Sequence, residues 1–142
     1  MEELPESIVV LGAGYIAVEM AQIMTALGVK TTLLARNKML TLVDQEVVAS
    51  LETSMKVLGL DVRLGTPFTS VQDIGGGMKR VNLQNGGHVD AQVVLCALGR
   101  PPNVDGLKLE NAGVIVEKGA IKVDEYQNTN IPGVYAIGDV TN

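Results

Sequence analysis

The stretch SIVVLGAGYIAVEMA, Ser7 to Ala21, changes its hydrophobic period halfway along. Ile8-Val9-Val10-Leu11 is a short apolar run rich in β-branched residues, as expected of a parallel strand buried on both faces. Gly12-Ala13-Gly14 interrupts it, and Ile16, Met20, Ile23, Met24 and Leu27 then recur at helical spacing, predicting one buried face. A strand, a glycine turn and a helix in that order aim unpaired first-turn amides outward. Those donors and the positive end of the helix dipole together favour a pyrophosphate. Gly12 allows the tight turn, and Gly14 keeps any side chain from standing between backbone and ligand. Ala17, at the third fingerprint position, is small enough for the helix to lie against the strand. The same glycines could serve a plain strand-to-helix connection, but the strand before them and the helix behind favour dinucleotide binding.

Working outward, Gly28 suits a left-handed helix end, and Lys30-Thr31-Thr32-Leu33-Leu34 reads as a second buried strand. About 20 residues past the glycines, NAD-binding domains carry an acid for the ribose hydroxyls. This chain has Ala35 and then Arg36. An acid would repel a 2′-phosphate, whereas an arginine makes charge-assisted hydrogen bonds to it. NADP(H) is therefore the expected ligand, the alternative for Arg36 being a solvated residue at a strand end.

Farther along, Asn37 to Val43 is a predicted loop, and Asp44 caps a second helix whose apolar positions are Val47, Val48, Leu51, Met55 and Leu58. Gly59 ends it, and Leu60 to Leu64 is a third strand. Consecutive strand–helix units favour a parallel sheet of order 3-2-1. The pattern then changes to short segments, Phe68 to Gln72, Met78 to Gln84 and His88 to Ala91, separated by Gly75-Gly76-Gly77 and Asn85-Gly86-Gly87. These predict an inserted antiparallel meander. The sheet resumes at Gln92 to Leu98 and ends in Gly99-Arg100-Pro101-Pro102-Asn103, placing Gly99 and Arg100 beside the same crevice as Gly12. Beyond Pro101 come Leu107 to Ala112, strand candidates Val114 to Val116 and Ala120 to Val123, and a final apolar strand, Val134 to Ile137. The fold class expected is α/β, a Rossmann-like parallel sheet flanked by helices with an inserted β-meander.

Composition narrows the function. Of 142 residues 46% are hydrophobic and 3% aromatic, tryptophan is absent, and the net charge is −5. Negative charge without a basic stripe argues against a nucleic-acid partner. No apolar run approaches the roughly 20 residues that span a bilayer, so no membrane partner and a cytoplasmic location are expected. The single cysteine excludes a dithiol pair within the chain. Cys96, inside an apolar strand, reads as an inert small hydrophobe, and His88 as a solvated turn residue without a second metal ligand. No metal is expected.

GAGYIAVEMA at Gly12 to Ala21, ALGRPPN at Ala97 to Asn103 and GAIKVDEYQNTNIPGVYAIGDVTN at Gly119 to Asn142 together resemble the flavin-dependent pyridine nucleotide–disulfide oxidoreductases, and most of all their glutathione reductase branch. The resemblance spans essentially the whole chain. It implies that NADPH delivers hydride to FAD, and that the electrons then reduce a cysteine pair and glutathione disulfide. It implies that residues 1–100 form the NAD(P)H domain and residues 101–142 the start of a return into the FAD domain.

By the same resemblance Tyr15 lies over the flavin and moves aside for the nicotinamide, while Glu19 pairs with a lysine of the flavin domain. Ile16, Ala17, Asn37, Gly99 and Arg100 fall among the dinucleotide contacts, and Asp139 matches the aspartate that bonds the ribitol of FAD. Ala17, Ala21 and Arg36 after Ala35 match the NADP-preferring members, whereas NADH-using relatives such as dihydrolipoyl dehydrogenase carry an acid at Ala35. Two departures stand out: the loop after Arg36 is one residue short, and Thr41 occupies the place of a second phosphate-binding arginine. The family's flavin fingerprint, redox cysteines and dimer domain have no counterpart here, so the chain is expected to be inactive alone and cut from a homodimeric enzyme. A stand-alone nucleotide-binding or regulatory module is the alternative.

Overall fold

The structure, a computed structural model, describes residues 3–141; Asn142 of the last motif lies outside the described residues. The chain divides into two compact units, the first ending at Gly99 and the second beginning at Arg100.

In the first unit β1 (Ser7–Leu11), β2 (Lys30–Leu34), β3 (Asp61–Arg63) and β7 (Val93–Cys96) form a parallel sheet of order β3-β2-β1-β7. Two helices, α1 (Tyr15–Ala26) and α2 (Gln45–Val57), cover one face. There Ile8, Val10 and Leu33 pack with Ala17, Val18, Ala21 and Met24 of α1 and with Val48 and Met55 of α2. The other face carries Val9, Leu11 and Leu34, which pack with Val81, Leu83 and Ala91 of an antiparallel meander. Its strands are β4 (Phe68–Gly75), β5 (Met78–Leu83) and β6 (His88–Ala91), in that order. Cover on both faces is why β1 runs Ile8-Val9-Val10-Leu11 without a polar residue rather than alternating. The α/β class, the 3-2-1 order and the inserted meander are as the sequence predicts.

The helix faces are not. Of the five positions predicted to be buried on α1, only Met24 is. Ile16 and Met20 are half-buried, and Ile23 and Leu27 are exposed. Apolar residues surround much of α1, so spacing leaves its rotation open. The glycine turn decides it by bringing the small residues Ala17 and Ala21 onto the strand, which lets the backbones approach. On α2, Val48 and Met55 are buried while Val47 and Leu58 are exposed. That helix packs by β3, the edge strand, and meets the sheet along a narrow stripe.

The predicted cap holds. The Asp44 carboxylate accepts from the Glu46 amide at 2.8 Å. Asp44→Ala should therefore lower stability by about 1 kcal/mol, read as a shift in the urea midpoint with unchanged slope. No shift would mean that solvent satisfies that amide equally well.

Cys96, expected inside an apolar strand, is not enclosed there. It ends β7, an edge strand, and is exposed.

The second unit is held by Val114, Ile121 and Ala136, with Val104, Leu109, Val123, Ile131 and Val140 around them. Its only ladder among the described residues is the pair β8 (Val116–Glu117) and β9 (Ala120–Ile121), each shorter than its predicted strand. Leu109–Ala112 is a single 3-10 turn. The final strand expected over Val134 to Ile137 does not form: Tyr135 makes one antiparallel bridge with Asn128, and Val134, Tyr135 and Ile137 are exposed. The bridge is made by the Ala136 amide to the Gln127 carbonyl at 3.2 Å and the Thr129 amide to the Val134 carbonyl at 3.1 Å, while the Val134 amide turns back to the Ile131 carbonyl at 3.0 Å, so pairing does not extend beyond it. An apolar run becomes a strand only where a ladder partner exists. Among the described residues no helix is long and apolar enough to cross a membrane.

Candidate functional site

At the carboxyl edge of the parallel sheet Leu11 lies between Leu34 and Cys96 in register. The ladder runs one residue further on each side: the Gly12 amide donates to the Leu34 carbonyl at 3.0 Å, and the Ala97 amide donates to the Leu11 carbonyl at 2.8 Å. Gly12 has φ +143°, and a Cβ there would overlap the Ala97 carbonyl oxygen and lie 3.2 Å from the Ala17 Cβ. Gly14 differs. Its backbone is extended, φ −83° and ψ 176°, and nothing lies within 4 Å of where its Cβ would be.

Gly14 is also the N-cap of α1, with no side-chain acceptor for the first-turn amides and no acid in that turn. No side chain caps those donors, which stand at the positive end of the dipole beside the open space at Gly14. Tyr15 (59% exposed) and Glu19, one turn apart, share an exposed face of α1, while Ile16 is half-buried and Ala17 buried.

The loop leaving β2 is tied to this turn. Ala35 is buried, donating its amide to the Arg63 carbonyl at 3.1 Å and accepting from the Thr66 amide at 2.9 Å. Arg36, Asn37 and Lys38 then emerge into solvent, Met39 is fully buried against the helix-side core, and Thr41 is exposed. Leu40 takes a left-handed φ of +49° and donates its amide to the Ala13 carbonyl, at 2.8 Å, inside the glycine turn. The segment read only as a loop is thus a fixed strap, which the sequence does not signal: Met39 and Leu40 are no more apolar than Leu42 and Val43, which are exposed.

The Arg36 guanidinium lies 5.2 Å from the centroid of the Phe68 ring. Among the described residues no carboxylate pairs with it.

Of the remaining predicted residues, Gly99 closes the first unit and is exposed. Arg100 and Asp139 belong to the second unit, where they form an ion pair with one another, both well exposed. The predicted residues of the first unit, from Gly12 to Thr41, are therefore held on one connected piece of backbone.

A groove of about 270 Å³ lies elsewhere, toward the amino-terminal ends of β1 and β2 on the meander side, lined in part by Lys30, Asp61, Arg63, His88 and Asp90. Its charges largely satisfy each other. Arg63 pairs with Asp61 at 2.7 Å, and Arg80 grips Asp90 through two hydrogen bonds of 2.8 and 2.7 Å, holding that carboxyl below the usual carboxylate range. Among the described residues no cluster of His, Cys, Asp or Glu is arranged to hold a metal ion.

Fold and site can be set beside known proteins. The sequence pattern that defines the pyridine nucleotide-disulphide oxidoreductases matches residues 1–142. Glutathione reductase of Burkholderia cepacia is 41% identical over 140 residues, covering 97% of this chain and 31% of that enzyme. Mycothione reductase of Mycobacterium tuberculosis is 39% identical, covering 99% of this chain and 30% of that enzyme. Among solved structures, the HOCl-induced flavoprotein disulfide reductase RclA of Escherichia coli superimposes with a TM-score of 0.92 at 30% identity, over 99% of this chain and 32% of the other. LpdA of Mycobacterium tuberculosis gives 0.89 at 30% identity, over 99% and 31%. The chain thus spans about a third of the length of these relatives. A parallel sheet with an open glycine turn at its carboxyl edge, an inserted meander and a match over the whole sequence make this chain a member of the pyridine nucleotide-disulphide oxidoreductase family.

Proposed function

We propose that this chain is the NADPH-binding portion of a flavin-dependent disulfide reductase of the glutathione reductase type. One observation carries the reading. The strap from Ala35 to Thr41 joins an unpaired guanidinium, Arg36, to the glycine turn whose first-turn amides stand open. That combination of groups suits a ligand with a diphosphate at one end and an additional phosphate on its adenosine ribose, which is the chemistry of NADP(H). When bound, the nicotinamide supplies a hydride, and the protein supplies position and electrostatics.

The residues divide the work. Amides of Tyr15, Ile16 and Ala17 receive the diphosphate, Gly12 and Gly14 let the backbone come close, and Arg36 with Asn37 meets the 2′-phosphate, Thr41 lying at the rim. Tyr15 is free to screen the nicotinamide side, and Glu19, on the same face, to orient a cation brought by a flavin-binding part. Gly99 borders the turn. Asp139 would meet the ribitol of FAD by exchanging the guanidinium of Arg100 for a flavin hydroxyl. On this reading residues 1–100 hold the nicotinamide coenzyme and residues 101–142 lead toward the flavin. The disulfide substrate and the subunit contacts fall outside the residues given roles here.

Calorimetric titration of the chain with NADPH and NADH tests this. Arg36 can donate charge-assisted hydrogen bonds worth about 1.5–3 kcal/mol. NADPH should therefore bind about ten- to a hundredfold more tightly than NADH. Arg36→Ala should erase that preference and leave NADH unchanged. Equal affinities in the parent would reject the 2′-phosphate assignment. That outcome would favour the NADH-using reading, which the missing second arginine at Thr41 supports.

A further inference from the structure

We propose that Phe68, a residue of the inserted meander, is a positioning residue for coenzyme selectivity: its ring holds the Arg36 guanidinium ready for the 2′-phosphate. The inference rests on the function proposed above and goes beyond it, because Phe68 itself offers nothing polar to a ligand.

Phe68 opens β4 and stands opposite Leu83 of β5. Half-buried, it packs against the cluster built from Val9, Leu11, Leu34, Val81, Leu83 and Ala91. One side of the ring is thereby fixed by the sheet and the meander, and the guanidinium lies 5.2 Å from its centroid. A cation at that range is drawn to the ring's negative face. An exposed arginine is otherwise free to sample many rotamers, and ordering it on binding weakens affinity. Stacking reduces that loss in advance. Holding the guanidinium by its charge rather than by a hydrogen-bond acceptor leaves its fork of N–H donors available to phosphate.

The two residues are also held from both ends. Ala35, just before Arg36, is bonded to Arg63 at the end of β3 and to Thr66 beyond the turn that follows, and Thr66 leads through Pro67 to Phe68. On the far side of Arg36, Met39 is buried and Leu40 is bonded to the glycine turn. With no carboxylate pairing with Arg36 among the described residues, ring and strap present its guanidinium on a segment bonded to the glycine turn.

Isothermal titration of the 142-residue chain with NADPH and with NADH, for the parent, Phe68→Leu, Phe68→Tyr and Arg36→Ala, provides the test. Phe68→Leu should weaken NADPH about two- to fivefold and leave NADH unchanged. Phe68→Tyr should keep the parent's selectivity. Adding Phe68→Leu to Arg36→Ala should produce no further loss. A second measurement is independent of ligand: ring-current shifts on the Arg36 side-chain protons, present in the parent and Phe68→Tyr, should vanish in Phe68→Leu.

A parent without NADPH preference overturns the functional reading and this proposal together. A parent with that preference, erased by Arg36→Ala yet untouched by Phe68→Leu, overturns the proposal alone. So does equal weakening of both coenzymes by Phe68→Leu, since that is the mark of a merely structural ring.

Discussion

Gly12→Ala is expected to destabilise the first unit by about 2–6 kcal/mol, which combines backbone strain of about 1–3 kcal/mol with an overpacking penalty of similar size. The φ of +143° lies where L side chains rarely go. The added methyl would run into the Ala97 carbonyl, and that carbonyl is not free to retreat, because the Ala97 amide is bonded to Leu11 at 2.8 Å. Nor can Gly12 move away easily while its own amide is bonded to Leu34 at 3.0 Å and the Ala17 methyl stands on the other side. Domains of this size are stable by only about 5–15 kcal/mol. At a slope near 2 kcal/mol/M the urea midpoint, followed by circular dichroism, should fall by about 2 M. A variant within 1 kcal/mol of the parent would show that the strand end relaxes and that the turn is not pinned as described.

How much of this could be read from sequence depends on which residues carry the information. The β1–turn–α1 stretch was legible because its period changes from a buried strand to a helix across Gly12-Ala13-Gly14, and each feature restricts the backbone locally. The meander was legible for the same reason: Asn85-Gly86-Gly87 is local turn chemistry, and the hairpin follows. The rotation of α1 was not, because Ile16, Ile23 and Leu27 are as apolar as the residues that do meet the sheet. What selects Ala17 and Ala21 is close backbone approach, a tertiary constraint. Val134 to Ile137 failed as a strand for a related reason, since apolar sequence proposes a strand but only a neighbouring edge with free donors makes one.

Within the site, glycines and arginine could be named from spacing, but their connection could not. Nothing in the sequence says that the Leu40 amide reaches Ala13, or that a phenylalanine many residues downstream underlies Arg36. These are contacts between elements brought together only by the sheet order β3-β2-β1-β7 and the meander that covers it. The pairing of Arg100 with Asp139 was hidden in the same way.

Gly14→Asp separates binding from folding, with opposite signs for the two. The position is extended and has open space where the side chain would stand, so no strain is expected. Aspartate is among the preferred N-cap residues, and its carboxylate would bond the first-turn amides and meet the helix dipole favourably. Stability should therefore rise by a few tenths of a kcal/mol over glycine. The same carboxylate would occupy the donors that a diphosphate needs and place a negative charge beside it. Two unit charges about 4 Å apart repel by about 4 kcal/mol at the effective dielectric of a protein surface. Affinity should fall at least about a hundredfold for NADPH and NADH alike, because both carry the diphosphate. The loss should shrink as salt is added, since exposed charges are screened over about 10 Å at 0.1 M. A stably folded Gly14→Asp chain that still binds either coenzyme at parental affinity would place the diphosphate somewhere other than the opening of α1. The combination expected here, a slightly firmer fold with both coenzymes lost, has no explanation in a turn that serves structure alone.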